Sequence, residues 1–288
     1  MTAALYLIIP LILFCVFFAY SLGYTVYLSF HKWNGLAPTM EPTGFGNYLA
    51  VMKSQEFIRA FLNNAQWLLF FIVVPPALGL ILALLVDRLK HGQGFFQTIF
   101  YLPYVITPIA VGAVWKWILD PGYGLINTAL RAAGLGALAQ NWLGQPSIAI
   151  FSMMLSASWI TVGLPFVLYL AGLKTVPGYL IEAAEIDGAG PLSRFRYVML
   201  PMLSPTTIVV EAFSILGAMR LFDLVYALTN GEPNIYVNVL APLMIKTSFQ
   251  VFKMGEGAAI AVILLVVTAI ALCPYLVIAT KRAERVKL

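Results

Sequence analysis

The chain has 288 residues, 61% hydrophobic and only 10% charged, with a mean hydropathy of +0.90. Those values exclude a soluble globular protein. The net charge of +5 calls for no nucleic-acid partner, because basic residues gather in short loops and in the tail KRAERVKL, where they meet anionic lipid headgroups.

Six apolar runs are long enough to cross a hydrocarbon core as helices, which takes about 20 residues. They are residues 5–28, 67–86, 99–119, 148–171, 208–228 and 258–278. Their continuous apolarity implies helices and not the alternating strands of a barrel. No basic residue precedes the first run and the first Lys or Arg is Lys32, so it reads as a retained span and not as a signal peptide.

The loop after it carries Trp33-Asn34-Gly35 and Gly44-Phe45-Gly46-Asn47-Tyr48, which read as turns and interfacial aromatics. Pro75-Pro76 predicts a kink in the second run, a packing irregularity in preference to a gating hinge. A short basic turn, residues 87–94, leads to the third run. Pro103 and Pro108 bend it, and Trp115, Trp117 and Tyr123 cluster at its outer end. Trp115 and Trp117 read as belt anchors; the alternative is that one of them stacks on a sugar face. Ser156, Ser158, Trp159 and Thr161 supply the polar atoms of the fourth run, which suits helix–helix packing. Gly163 and Pro165 loosen its middle.

Residues 177–205 form the longest reasonably polar segment between apolar runs. Pro177 suits the start of a helix, Gly188 and Gly190 its end, and Pro191 opens a second short helix that Pro201 and Pro205 close. The fifth run holds Glu211, Ser214, Arg220 and Asp223. Arg220 and Asp223, spaced i, i+3 on one expected helix face, can pair; the alternative role is lining or gating a cavity. Glu211 reads as a helix-interface contact. Residues 238–252 read as an amphipathic or re-entrant segment, and Gly255–Ala259 opens a sixth run of small residues. Cys15 and Cys273 lie in different runs, which suggests packing and not a disulfide or metal site. No HExxH, CxxC, GxSxG or GxxxxGK[ST] occurs, so neither catalysis nor ATP binding is expected of this chain.

Orientation follows from Lys and Arg. Nine fall in the loops at 88–90 and 174–196 and in the tail, and six in the longer opposite set. The first set is expected to be cytoplasmic, with both termini.

Glu182-Ala183-Ala184, Asp187-Gly188-Ala189, Phe195 and Leu200-Pro201 resemble the EAA loop of ABC-importer permeases. The stretch from Pro103 to Asn127, Asn141-Trp142-Leu143 and Thr229-Asn230-Gly231-Glu232-Pro233 resemble the carbohydrate-uptake branch, with Glu232 in place of the second glycine of a T-x-G-G-P turn. The resemblance covers nearly the whole chain. It implies an all-α, polytopic membrane protein of six transmembrane helices with the type I ABC-importer permease fold. The chain would be a single permease domain, 1–288, with a cytoplasmic coupling loop at about 174–205. It also implies alternating access for a carbohydrate or related polyol in a bacterial or archaeal inner membrane. The implied partners are a cytoplasmic ATPase dimer, which holds ATP and Mg, a second and different permease subunit, an extracytoplasmic solute-binding protein and membrane lipids. No cofactor is implied for this chain. The coupling residues so implied are Glu182, Ala183, Ala184, Asp187, Gly188, Ala189, Phe195 and Pro201. Trp115, Trp159, Arg220, Asp223, Tyr226 and Asn230 are the candidates for the solute path. The competing class is an ion-gradient-driven secondary transporter with Glu211 and Asp223 as ion relays; the inverted repeats such a fold shows are not apparent.

Overall fold

The computed structural model describes residues 2–286. The last two residues of the basic tail, Lys287 and Leu288, lie outside the described residues. The described chain is helical apart from one two-stranded antiparallel ribbon, in which His31 pairs with Pro42 and Lys32 with Glu41.

Three helices are long and apolar enough to cross a membrane alone, and three bent pairs bring the spans to six if each pair is one span. Helix α1 starts as Thr2–Phe14 and runs on through a π-helical segment, Cys15–Tyr20, and Ser21–Ser29. Helix α2 is Gly46–Lys53 and α3 is Gln55–Asp87. The first bent pair is α4 (Gln93–Val105) and α5 (Pro108–Ile118), at 97°. Helix α6 (Leu125–Ala132) follows. The second pair is α7 (Ala149–Thr161) and α8 (Gly163–Leu173), at 43°. Helix α9 (Gly178–Ile186) precedes the third pair, α10 (Pro191–Met202) and α11 (Ser204–Met219), at 71°. Short α12 (Asp223–Leu228), α13 (Leu240–Ile245) and the long α14 (Met254–Val286) complete the chain.

Several local expectations need correction. The fifth run is not one span from 208 to 228: α11 ends at Met219, and α12 starts only at Asp223. Pro201 does not close the second loop helix but lies within α10, and Pro205 opens α11, where a missing N–H costs nothing. The prolines expected to kink the second run, Pro75 and Pro76, do not end α3. The two thiols do not pack: Cys15 and Cys273 are both free and exposed.

The described chain divides into two compact units. One takes the chain up to Leu62 together with Asn238–Val267. From Ile8 to Tyr27 no side chain of α1 is buried, as suits a helix whose solvent is lipid or another apolar chain. At its end buried Asn47 donates to the carbonyls of Ser29 (2.8 Å) and His31 (2.9 Å), satisfying groups the helix and ribbon leave open. The core of this unit gathers Val51, Phe57, Ala60, Leu240, Leu243, Ala259 and Ile260. Glycine is required at the start of α14: a Cβ on Gly257 would lie 1.9 Å from Ser248 Oγ.

The other unit takes Asn63–Val237 and the chain from Thr268 on. Its core packs Ala83 and Val86 of α3 against Phe166, Tyr169, Leu170 and Leu173 of α8 and Val210 of α11. Phe100 of α4 meets Phe166 edge-on, with centroids 5.5 Å apart. The close approach of α3 to α8 rests on Gly79, where a Cβ would sit 2.6 Å from Pro165 Cβ and 2.7 Å from the Phe166 amide nitrogen. Since the second neighbour is backbone, Gly79→Leu must push the helices apart. The expected loss is roughly 1–3 kcal/mol, read as a lower unfolding midpoint in detergent; an unchanged midpoint would contradict the packing described.

Candidate functional site

The polar stretch at 177–205 folds as a helical hairpin. Pro177 takes the N-cap position of α9 with φ −65° and ψ 126°. At the other end Gly188 has φ +79°, the left-handed conformation that glycine adopts without steric cost. The Ala189 N–H donates to the Ala184 carbonyl at 2.9 Å and the Gly188 N–H to the Glu185 carbonyl at 3.1 Å. These are the 6→1 and 5→2 bonds of a Schellman close, and they satisfy carbonyls that the helix end would leave unpaired. Gly190 then caps α10 and Pro191 opens it. Arg194 closes the hairpin with a salt bridge to Glu185, 3.0 Å.

This hairpin shows an unusual surface. No residue of α9 is buried. Tyr179 is 68% exposed, Ile186 87%, Leu192 78% and Tyr197 72%. Glu182, Ala183 and Asp187 are exposed beside them, and Ala184 and Ala189 are half-buried. Asp187 is the C-cap of α9. Phe195, half-buried, starts a π-helical stretch to Met199 inside α10, and Pro201 follows within the same helix. The hairpin thus pairs an apolar surface with carboxylates on a rigid turn.

A second feature is a cavity of about 330 Å³ between α4, α7 and the end of α11, walled by Phe71, Tyr104, Thr161, Gly217, Arg220 and Asp223 among others. An adjoining cavity of about 290 Å³ shares Phe71, Tyr104, Thr161, Gly217 and Arg220 and adds Pro75 and Ser214. Arg220 ends α11, donating its N–H to the Leu216 carbonyl at 3.0 Å. Phe222, at φ −131° and ψ −63°, breaks the path before Asp223 opens α12, where an acidic residue is favoured by the helix dipole. The break overturns the expected ion pair. The i, i+3 spacing no longer describes one helix face, and among the described residues neither Arg220 nor Asp223 takes part in a salt bridge. Both are exposed in the cavity wall.

The remaining candidates cluster elsewhere in the same unit. Trp115 and Trp159 meet in a T-shaped contact with centroids 6.3 Å apart; neither lines the two cavities described. Tyr226 stacks on Phe222 at 5.0 Å. Asn230 has φ +57° and follows the end of α12, where the Gly231 N–H reaches back to the Tyr226 carbonyl at 2.8 Å. Positive φ falls on Asn230 and Gly231 but not on Glu232, which is why the turn tolerates glutamate at the position where a second glycine is expected. The Lys116 ammonium donates to Asn230 Oδ1 and ties α5 to this turn. Lys116, Phe71 and Tyr104 carried no signal of their own in the sequence, although Pro103 and Pro108 bracket Tyr104. The hydroxyls expected to serve helix–helix packing donate within their own helix, Ser156 Oγ to the Ser152 carbonyl, Ser158 Oγ to Met154 and Thr161 Oγ1 to Ala157, and Ser156 is fully buried.

Residues 56–281 match the family of binding-protein-dependent transport system inner membrane components. The chain belongs to that family. It is therefore a permease subunit of an ABC importer and a multi-pass membrane protein. A probable ABC transporter permease protein of Pyrococcus horikoshii is 32% identical over 281 residues, 98% of this chain and 96% of the relative. A multiple sugar-binding transport system permease protein of Streptococcus mutans is 31% identical over 265 residues, 92% and 90%. A chain in the crystal structure of a bacterial ABC transporter involved in the import of the acidic polysaccharide alginate has a TM-score of 0.82 at 22% identity, covering 99% of this permease and 95% of that chain. That likeness carries the fold.

Because Arg220 and Asp223 are unpaired, replacing them in this permease separately and together should give nearly additive losses of stability, with a coupling below about 1 kcal/mol. Breaking a buried ion pair would instead strand a charge at about 3–5 kcal/mol. Unfolding midpoints of the four proteins in one double-mutant cycle decide between the two.

Proposed function

We propose that this permease forms part of the path for a carbohydrate or related polyol, delivered by a solute-binding protein and driven by a cytoplasmic ATPase dimer. A second permease subunit completes the path, because each permease offers one coupling hairpin and the ATPase is a dimer; the resemblance to the carbohydrate-uptake branch makes it a different chain. The solute class is supported by the relative from Streptococcus mutans, whose name records multiple sugars, and by the cavity itself. Its wall sets aromatic rings of Phe71, Tyr104 and Phe222 beside polar Thr161, Arg220 and Asp223. Rings cover the C–H face of a sugar, while a carboxylate and a guanidinium serve its hydroxyls. Trp115, Trp159, Tyr226 and Asn230 belong to the outer part of the path.

The observation that carries the coupling role is the bare surface of α9. A nine-residue helix with no buried side chain is too short to be stable on its own in water, so its order fits a helix whose packing surface is supplied by another chain. Ile186 of α9 and Leu192 of α10 are the hairpin's apolar anchors, Glu182 and Asp187 its polar rim, and the Schellman close at Gly188 fixes the turn between the helices. ATP-driven closure of the ATPase dimer would move the hairpin and, through α10 and α11, the cavity wall. The hairpin and both termini face the cytoplasm on this reading, in keeping with the Lys and Arg bias of the loops. ATP and Mg are held by the ATPase, and this chain carries no cofactor and no catalytic residue.

Glu182→Lys, Ile186→Asp and Gly188→Val should each leave the permease in the membrane at near-normal level. Each should cut transport at least tenfold, with loss of ATPase co-purification or of hydrolysis stimulated by the solute-binding protein. Normal uptake in all three would remove the hairpin from coupling. For orientation, a cysteine at Ser193 in sealed cells should resist an impermeant thiol reagent and one at Ala137 should react; the reverse pattern would invert the topology.

A further inference from the structure

Helix α11 connects the hairpin's end to the cavity wall, and one carboxyl sits midway along it. Glu211 Oε2 is buried and has no hydrogen-bond partner. One turn before it, Thr207 donates its hydroxyl to the Leu203 carbonyl at 3.0 Å. The Thr207 carbonyl accepts a long bond, 3.5 Å, from the Tyr275 hydroxyl of α14. Tyr169 of α8 lies beside Thr207, and both tyrosines are close enough to Glu211 to interact with its carboxyl. One phenol donor, from α14, therefore serves the Thr207 carbonyl, while the stronger acceptor beside it, Glu211 Oε2, has none.

We infer that Glu211 is a positioning residue that gives α11 two seats against α8 and α14. In the present seat the Tyr275 phenol serves Thr207 and Oε2 lacks a donor. In the other, a small axial shift of α11 brings a tyrosine hydroxyl onto Oε2. The unmatched acceptor raises the free energy of the present seat and so keeps the second accessible; a buried group left without its bond biases a two-state equilibrium by roughly tenfold or more. The shift is felt at both ends of one rigid helix: at Leu203, the bend toward the hairpin, and at Ser214, Gly217 and Arg220 in the cavity wall. The inference rests on the importer reading, in which α11 has two positions to occupy.

The test uses the full complex with its ATPase, second permease and solute-binding protein in proteoliposomes, with Cys15 and Cys273 replaced by serine. The probe is the labelling rate of a cysteine at Gly217 by a charged thiol reagent, compared between nucleotide-free and ATP–vanadate-trapped complexes. Glu211→Met should hold α11 in the present seat, compress the difference in rate between the two states about tenfold, and slow ATP turnover without loss of ATPase capture. Glu211→Gln keeps an acceptor and should retain the parental response. Tyr169→Phe with Tyr275→Phe should mimic Glu211→Met, and adding them to it should do no further harm; this pair also serves as the readout should Glu211→Met fail to assemble. A parental labelling response in Glu211→Met, or in the tyrosine pair, overturns the inference. So does equal damage by Gln and Met, which would make the charge and not the acceptor matter. Failure of the parental complex to capture its ATPase would instead count against the importer reading.

Discussion

Backbone hydrogen bonding without water is the constraint on which the rest of this permease depends. At membrane depth an unpaired N–H or C=O costs several kcal/mol, so a helix can break only where its open groups find partners. The three bends between paired helices show such partners. At the 97° bend the Ile106 N–H reaches the Pro103 carbonyl and the Val111 N–H reaches Thr107. At the 43° bend Val162 bonds back to Ser158, and Phe166 to Val162. At the 71° bend Leu203 bonds to Met199, and Thr207 to Leu203. The span hydroxyls follow the same logic. Ser152, Ser156, Ser158, Thr161, Thr207 and Ser214 each donate to the carbonyl four residues earlier. Such bonds share an occupied carbonyl and let the helix bend; they leave few free donors for a solute.

That economy makes the exceptions informative. Arg220 and Asp223 lie where α11 has ended and α12 has just begun, and both are exposed in the cavity wall. Charged groups within a membrane protein face a protein interior or water, and these two face a cavity. Their separation by an unwound stretch keeps them from neutralising each other, so one cavity presents a donor fork and an acceptor pair at once. A neutral polyhydroxyl compound matches both, whereas a purely apolar solute matches neither.

The hairpin at 177–205 was legible from sequence because its punctuation is local. Pro177, Gly188, Gly190 and Pro191 each fix one dihedral or remove one donor at a set offset, and the helix ends follow within a residue or two. The breaks near Pro108 and Gly163-Pro165 carried the same kind of signal. The break at Arg220–Phe222 did not: neither Gly nor Pro marks it, and apolar periodicity runs on through Leu224 and Val225. A reading by hydropathy therefore carried the fifth run to Leu228 and turned a helix terminus into an i, i+3 pair. The cavity was least legible, since Phe71, Tyr104, Thr161 and Arg220 come from four helices and nothing in a linear pattern records which faces meet. Trp115 and Trp159 are candidates for the solute path by sequence, but their rings meet each other.

The geometry also bears on how a loop can act on a cavity at a distance. A helix of 16 residues is about 24 Å long at 1.5 Å per residue, and α11 has no proline after its first turn to absorb motion. Its core-facing residues Val210 and Ser214 are buried, and α8 approaches closely where Gly172 leaves room for Thr206. Such close packing permits sliding between discrete seats more readily than continuous bending. On the proposed coupling role, displacement of the hairpin would be delivered to Gly217 and Arg220 with little loss, provided the bend at Leu203 stays rigid. Leu203 is fully buried, so the bend is held by the core of its unit and not left as a free joint. On the coupling role proposed above, the hairpin and the cavity would be two ends of one lever, with its pivot in the packing of α8 against α11.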